Sequence, residues 1–277
     1  MKKKKKRLSI KQRNTSFFMF TVGAVAVIFL IGIFGIFFMH GKNYYKIESR
    51  VNDIKVAKNS DNSDYDTIAW LRVQGTNIDF PIILGKKDDF EYPVQLESFA
   101  WSMGEDDKFH NKINIMGHNI FNLSSQPKKK SETFHRFEEL MAFVYEDFAK
   151  DNKYIQLTID GEDYLYKIYA VDFLYAADVI LMPKGENTKE DLDEQIKLYK
   201  DKSLFDYDVK VDSSDKLISL VTCTRFFGTE SYIDFVVNGR LVRPGEKIKN
   251  YRVVKNDKNY EKIEKILKGD DENEKTA

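Results

Sequence analysis

The sequence predicts a mainly β fold, a closed or nearly closed barrel carrying helical insertions, attached to one N-terminal transmembrane helix. Three observations carry this expectation. Short runs rich in β-branched and aromatic residues recur along most of the chain, separated by polar turns. Only a few segments repeat apolar residues at helical spacing. One segment, 17–39, is apolar over 23 consecutive residues. The chain of 277 residues fits one domain of roughly 200 residues plus attachments. With 42% hydrophobic residues, including 21 Phe and 15 Tyr, it can build a sizeable core.

Residues 1–16 are basic: six of the first seven are Lys or Arg, and Lys11 and Arg13 follow. The span Phe17–Met39 holds no charge, and Thr21 is its one clearly polar side chain. At about 1.5 Å per helical residue it is long enough for a hydrocarbon core of roughly 30 Å. A cleaved signal peptide has a shorter apolar stretch and a small-residue cleavage site, whereas this run leads into HGKNYYK. Residues 17–39 are therefore expected to lie uncleaved in the lipid bilayer. Positive flanks stay cytoplasmic, which places the N-terminus inside and the rest of the chain outside the cell, held at the membrane by a single pass.

Residues 40–62 read as a stalk or first amphipathic helix, and the barrel is expected over 63–250. IAWLRVQ and IDFPIIL flank Gly75-Thr76-Asn77 and form a strand pair, with Pro81 at an edge or strand start. KINIMGHNI contains a short strand ending near Gly117, and 121–133 is loop-like. Phe134, Phe137, Leu140, Met141 and Val144 are spaced for a helix over 133–148. KYIQLTID and DYLYKIYAVDFLY are strands joined by a hairpin turn at Asp160-Gly161-Glu162. A helix over 188–204 has Thr188 as N-cap, Glu190 and Asp191 in its first turn, and Leu192, Ile196 and Leu198 on its apolar side. KLISLVTC and SYIDFVVNGRLV are further strands, and the charged segment 251–277 is expected to be one short helix with a disordered tail.

Lys plus Arg equals 44 and Asp plus Glu equals 44. That balance lacks the basic excess of a nucleic-acid binder, so no nucleic-acid partner is expected. There is no Gly-rich phosphate loop, and the four histidines and one cysteine show no metal-ligand spacing, so no cofactor and no metal are expected.

Cys223 is the one cysteine, which excludes an intrachain disulfide. A single Cys is ordinarily a small buried hydrophobe. In an exported chain, however, an unpaired thiol is open to oxidation and its presence calls for a reason. Cys223 ends an apolar strand just before the turn TRFFGTES, and His118 ends another directly after Gly117. Strand ends projecting into a loop-lined cleft commonly hold catalytic groups. An imidazole beside a thiol lowers its pKa, then protonates the leaving amine. Sequence alone does not show that the two residues, 105 positions apart, meet in space.

Ser219-Leu220-Val221-Thr222-Cys223 resembles the TLxTC signature of the sortase family, with Ser in place of the first Thr. Asn114-Ile115-Met116-Gly117-His118-Asn119 is similar to the segment that carries the sortase histidine, and Asp66–Leu71 with Gly75–Ile82 resembles the family's opening strands. The resemblance covers roughly residues 45–245, with His before Cys and an anchor at the chain end, as in the family. The helix-bearing insertion between about 185 and 205 resembles class B sortases. The resemblance implies a sortase-like barrel and a cysteine transpeptidase. Such an enzyme cleaves a C-terminal sorting signal of an exported protein after a Thr, holds the new end as a thioester on Cys223, and passes it to an amine. That amine belongs to a cell-wall precursor or to a pilin Lys. His118 would serve as acid, then base. The competing readings are a membrane-tethered binding or scaffold module with a buried structural Cys, and a hydrolytic cysteine protease.

The sequence departs from the family at one catalytic position. Sortases carry an Arg on the strand after the Cys, and here that position falls on Asp234 or Ile233. Neither replaces a guanidinium in holding an oxyanion. Arg225, two residues after Cys223 and on its face if the strand continues, is the first substitute, and Arg240 the fallback. A carboxylate beside a thiolate opposes the chemistry, so Asp234 is expected to face away from the thiol or to pair with a cation.

Overall fold

The computed structural model describes residues 44–60, 67–84, 100–102, 109–130, 137–180 and 187–269, together with positions 19, 22, 23 and 25. The chain divides into two compact units, 1–44 and 45–277. Most of the predicted anchor, 17–39, lies outside the described residues, and its four described positions are helical. Among the described residues no helix is long and apolar enough to cross a membrane. His40 and His135 also lie outside them.

Eight strands close into a barrel in the order β1-β2-β3-β4-β8-β9-β6-β5. They are β1 Thr67–Val73, β2 Asp79–Leu84, β3 Ala100–Ser102, β4 Lys112–Met116, β5 Tyr154–Ile159, β6 Glu162–Tyr175, β8 Leu217–Thr224 and β9 Ile233–Leu241. The ring closes where β1 pairs antiparallel with β5, and it is thinnest at the three residues of β3. β1 and β2 form the expected antiparallel pair. Pro81 sits one residue before β2 begins to pair with β3 at Ile82, so its missing N–H interrupts no second ladder. The β5–β6 hairpin turns through Asp160 at φ 54° and Gly161 at φ 78°, the paired left-handed residues of a type I′ turn.

The helices serve the barrel unevenly. α1 spans Val51–Ser60, so of the predicted stalk 40–62 only this part is helical among the described residues, and 46–50 is irregular. The helix expected over 133–148 is instead a 3₁₀ turn, Phe137–Val144, followed by the short α2, Glu146–Asp151. All eight residues of that turn are buried, Glu138 and Glu139 included. Buried carboxylates need donors: Glu139 accepts from the Asn77 N–H at 2.6 Å and its side chain at 3.0 Å, and Glu138 accepts from the Phe121 N–H at 3.2 Å. Tertiary contacts of this kind override the helical period. After α3, Ala176–Ile180, comes the expected insertion helix α4, Lys189–Lys202, closed by a capping box between Thr188 and Asp191. Leu192 and Ile196 face the core as expected, but Leu198 is exposed and Tyr199 with Gln195 takes the inner face.

The segment beyond residue 250 is more than a charged tail. Tyr251 is buried, β10 (Val253–Lys255) pairs with β7 (Phe205–Tyr207), and α5 (Asp257–Lys268) buries Tyr260, Ile263 and Ile266. Those apolar residues recur at i, i+3 and i+6, so one stripe docks while the charged face stays in water.

Candidate active site

β4 and β8 run parallel, in a register from Lys112↔Leu217 to Met116↔Val221. The ladder continues beyond the strand, with the Gly117 N–H donating to the Val221 carbonyl at 3.1 Å. One further step sets His118 level with Cys223. Parallel neighbours at one level stand about 4.8 Å apart. Two side chains stitch the segments together. The Thr222 hydroxyl donates to the Gly117 carbonyl at 2.8 Å, and Asn119 Nδ2 donates to the Cys223 carbonyl at 3.0 Å.

Gly117 has a steric reason to be glycine, because a Cβ there would lie 2.4 Å from the Phe137 ring. The Phe137 N–H donates to the His118 carbonyl at 2.9 Å, so the buried 3₁₀ turn fixes the histidine backbone from behind. Asn122 holds the following loop by donating to the Lys128 and Glu138 carbonyls at 2.9 and 2.8 Å. Gln126 Nε2 ties the same loop to the end of α5 through the Ile266 and Leu267 carbonyls. Asn119, which closes the histidine motif, and Asn122 are positioning residues. The sequence assigns no role to Asn119 and does not single out Asn122, four residues after the histidine.

Cys223 is exposed, which removes the reading of a buried structural cysteine. Its thiol is nonetheless hemmed in by protein. Burial pushes its pKa up to about 11, assisted by the charge of Asp234 and a hydrogen bond to it. Asp234 therefore does not face away, and among the described residues it pairs with no cation. It stands directly across from Cys223 in the antiparallel β8–β9 register, while Ile233 stands across from Thr224. Direct opposition in the register puts both side chains on one face and in contact. Burial raises the Asp234 carboxyl from 3.8 to about 6.

Neither candidate arginine has a strand position beside the thiol. β8 ends at Thr224, so strand alternation does not set which face Arg225 takes. Its N–H donates to the Leu123 carbonyl at 3.0 Å. Arg225 lines a groove of about 550 Å³ with Leu123, Phe226, Phe227, Lys262 and Ile266, a set without Cys223 or His118. The fallback Arg240 is misplaced: it pairs in register with Leu217, at the far end of β8. It is 2% exposed and engaged by Glu246 and by the Lys210 and Leu241 carbonyls. His110 lies before β4, at that same far end. Exposed large side chains gather instead at the thiol end: Ile120 and Phe121 follow the histidine, Tyr232 precedes β9, and Tyr175 pairs with Ile233.

No family model and no curated protein matches the chain. Solved structures do. Sortase B of Clostridium perfringens is 25% identical with a TM-score of 0.53, covering 70% of this chain and 98% of that one. Sortase B of Staphylococcus aureus is 18% identical with a TM-score of 0.53, covering 69% and 86%. Sortase B from the Type II pilus of Streptococcus pneumoniae is 17% identical with a TM-score of 0.52, covering 71% and 98%. The fold is that of a sortase, most like class B. Within this sortase fold, the segment after β4 brings His118 and β8 brings Cys223, and β9 presents a carboxylate toward the thiol.

That carboxylate has a measurable consequence. A folded pKa above the ordinary value means that the folded state binds the proton more tightly. The associated stability is then present at low pH and lost as pH rises from about 4 through about 6. Asp234→Asn is expected to raise the melting temperature at pH 7.5, through a stabilisation of up to about 3 kcal/mol, and to leave it unchanged near pH 4. The same variant should alkylate faster at Cys223. Equal melting curves at both pH values would show that Asp234 is not held against the thiol.

Proposed function

We propose that the chain is a cysteine transpeptidase that acts on exported proteins bearing a C-terminal sorting signal. The observation that supports this reading is the parallel β4–β8 register, which runs to Met116↔Val221 and, continued two steps further, brings His118 level with the exposed Cys223. Cys223 Sγ attacks the scissile carbonyl carbon while His118 takes the thiol proton. His118 then gives that proton to the departing amine, leaving a thioester. An incoming amine, from a wall precursor or a pilin Lys, attacks the thioester and loses its proton to His118, and the Cys223 sulfur departs. The exposed apolar and aromatic side chains at this end suit an extended peptide. Among the similar structures are a Staphylococcus aureus sortase B–substrate complex and a sortase B complexed with triglycine. In the same proposal residues 17–39 anchor the enzyme in the bilayer with its catalytic domain outside.

Product analysis with and without an added amine tests the reaction type. Amide-linked product that depends on the amine is expected. Hydrolysed peptide at an equal rate in both samples would establish a protease instead.

Arg225 is the proposed oxyanion donor, since its guanidinium has no side-chain partner among the described residues and its backbone leaves the strand two positions after the thiol. Arg225→Ala is expected to slow acylation with little change in peptide binding, and Arg225→Lys to restore part of the rate, because an ammonium lacks the planar fork. If Arg225→Ala weakens peptide binding and leaves the acylation rate intact, the residue belongs to the groove rather than to the oxyanion.

A further inference from the structure

A row of buried polar side chains crosses four adjacent strands on the face that carries Cys223. Lys112 of β4 donates from Nζ to Ser219 Oγ of β8. Ser219 donates to Asn238 Oδ1 of β9, and Asn238 Nδ2 donates to Asp172 Oδ2 of β6 at 3.0 Å. Lys112 is 1% exposed and the other three are 0% exposed. Tyr199 of α4 roofs the row, its ring centroid 5.3 Å from Lys112 Nζ. None of these groups has a part in the transpeptidase chemistry.

Their chemistry is unusual for their residue types. Burial pulls the Lys112 ammonium down to about 7, which leaves a nucleophilic amine over much of the neutral range. Burial pushes the Asp172 carboxyl well above its usual range, which favours its protonated form. Asp172 Oδ1 is buried and has no hydrogen-bond partner among the described residues. A substrate from solvent cannot reach an amine so enclosed, so any electrophile it meets is internal. The Asn238 carboxamide is joined to it through one hydroxyl, and Asp172 holds that carboxamide from the other side.

We propose that Lys112 and Asn238 form an intramolecular isopeptide bond, with Asp172 as proton shuttle. The Lys112 Nζ lone pair attacks Asn238 Cγ as the Ser219 hydroxyl turns aside. Asp172 gives its proton to the carboxamide, and the Cγ–Nδ2 bond breaks. A proton from Nζ replaces the one Asp172 gave, and ammonia leaves. One C–N bond forms and one breaks, with no oxidant and no cofactor. The two groups sit one hydroxyl apart on β4 and β9, so only the Ser219 side chain has to move before they meet, and such confinement supplies rate that the free groups lack. The product ties β4, which carries His118, to β9, which carries Asp234, across β8. The tie lies four residues from the thiol along β8, about 13 Å. It would fix the spacing of the three strands that build the site.

Intact-mass measurement of the purified full chain tests this without reference to transpeptidation. A deficit of about 17 Da is expected, the mass of ammonia, with a branched proteolytic peptide joining the Lys112 and Asn238 segments. Lys112→Met and Asp172→Asn should each restore the full mass. Three results overturn the proposal: a wild-type chain at full mass whose Lys112 is acylated after denaturation, a deficit of about 18 Da with Lys112 joined to Asp172, or a linear peptide carrying a succinimide at Asn238-Gly239. A retained deficit in Asp172→Asn removes Asp172 as the shuttle. The wild-type measurement stands alone if a variant does not fold.

Discussion

Cys223→Ala is expected to form no acyl-enzyme with any sorting-signal peptide and to show no transpeptidation above background. Among the described residues the thiol is the one nucleophile on this face with a histidine at its own level, and no second cysteine exists to replace it. The fold should survive. The side chain is exposed, so its truncation leaves no enclosed cavity of the kind that makes core deletions costly. The bonds that position residue 223 are to its backbone: Asn119 Nδ2 reaches the Cys223 carbonyl, and β9 pairs alongside. Removing the thiol also relieves Asp234 of a close neighbour. Intact-mass detection of the thioester, read beside a melting curve, separates loss of chemistry from loss of structure. Turnover by a purified, folded Cys223→Ala would exclude Cys223 as nucleophile, and with it the reading of the whole site.

Much of this arrangement was legible in the sequence, and the parts that were not share a cause. The β5–β6 hairpin is announced by Asp160-Gly161, because local backbone sterics dictate it. The Thr188 cap and the insertion helix are local as well. His118 and Cys223 could be singled out as strand ends, but their shared level depends on which strands neighbour each other and in what register. That is a property of the closed ring. Asp234 shows the same limit: counting left the family's arginine position between 233 and 234, and only the β8–β9 register sets Asp234 against the thiol. The 3₁₀ turn at 137–144 was hidden because its geometry follows from burial of both faces, with Asn77 and Phe121 supplying the donors for its two glutamates. α5 is the short helix expected beyond residue 250, but its docking is hard to see in sequence because only three of its twelve residues are buried.

The carboxylate on β9 changes how the proposed catalytic pair must operate. A guanidinium in that place would favour the thiolate. Asp234 instead hydrogen-bonds the thiol and opposes its ionisation. With the thiol pushed up to about 11, the thiolate fraction at pH 7 is on the order of one in 10⁴. A resting thiolate–imidazolium pair is therefore the minor state, and the thiol must lose its proton during attack. Asp234 titrates near pH 6, so below that value its repulsion of the developing thiolate fades.

His118→Ala is accordingly expected to lose acylation by at least about two orders of magnitude, the usual scale for a general acid–base. The dependence is steeper than for a preformed ion pair, because a thiol with so high a pKa has no other acceptor at its level among the described residues of β4 and its continuation. Asp234 also contacts the thiol, from the β9 side, and Asp234→Asn in the same assay separates its contribution from that of His118. His110→Ala is the control, since His110 precedes β4 at the end of the strand away from the thiol, and its effect should be small. The signature that distinguishes a lost base from a disturbed fold is the pH dependence of single-turnover acylation. In His118→Ala the rate should climb about tenfold per pH unit as hydroxide replaces the missing base, and continue toward the thiol's own pKa. In the wild-type chain it should level off once the imidazole is neutral. A folded His118→Ala with the wild-type rate and the wild-type plateau, or an equal loss in His110→Ala, would dissolve the pairing of His118 with Cys223.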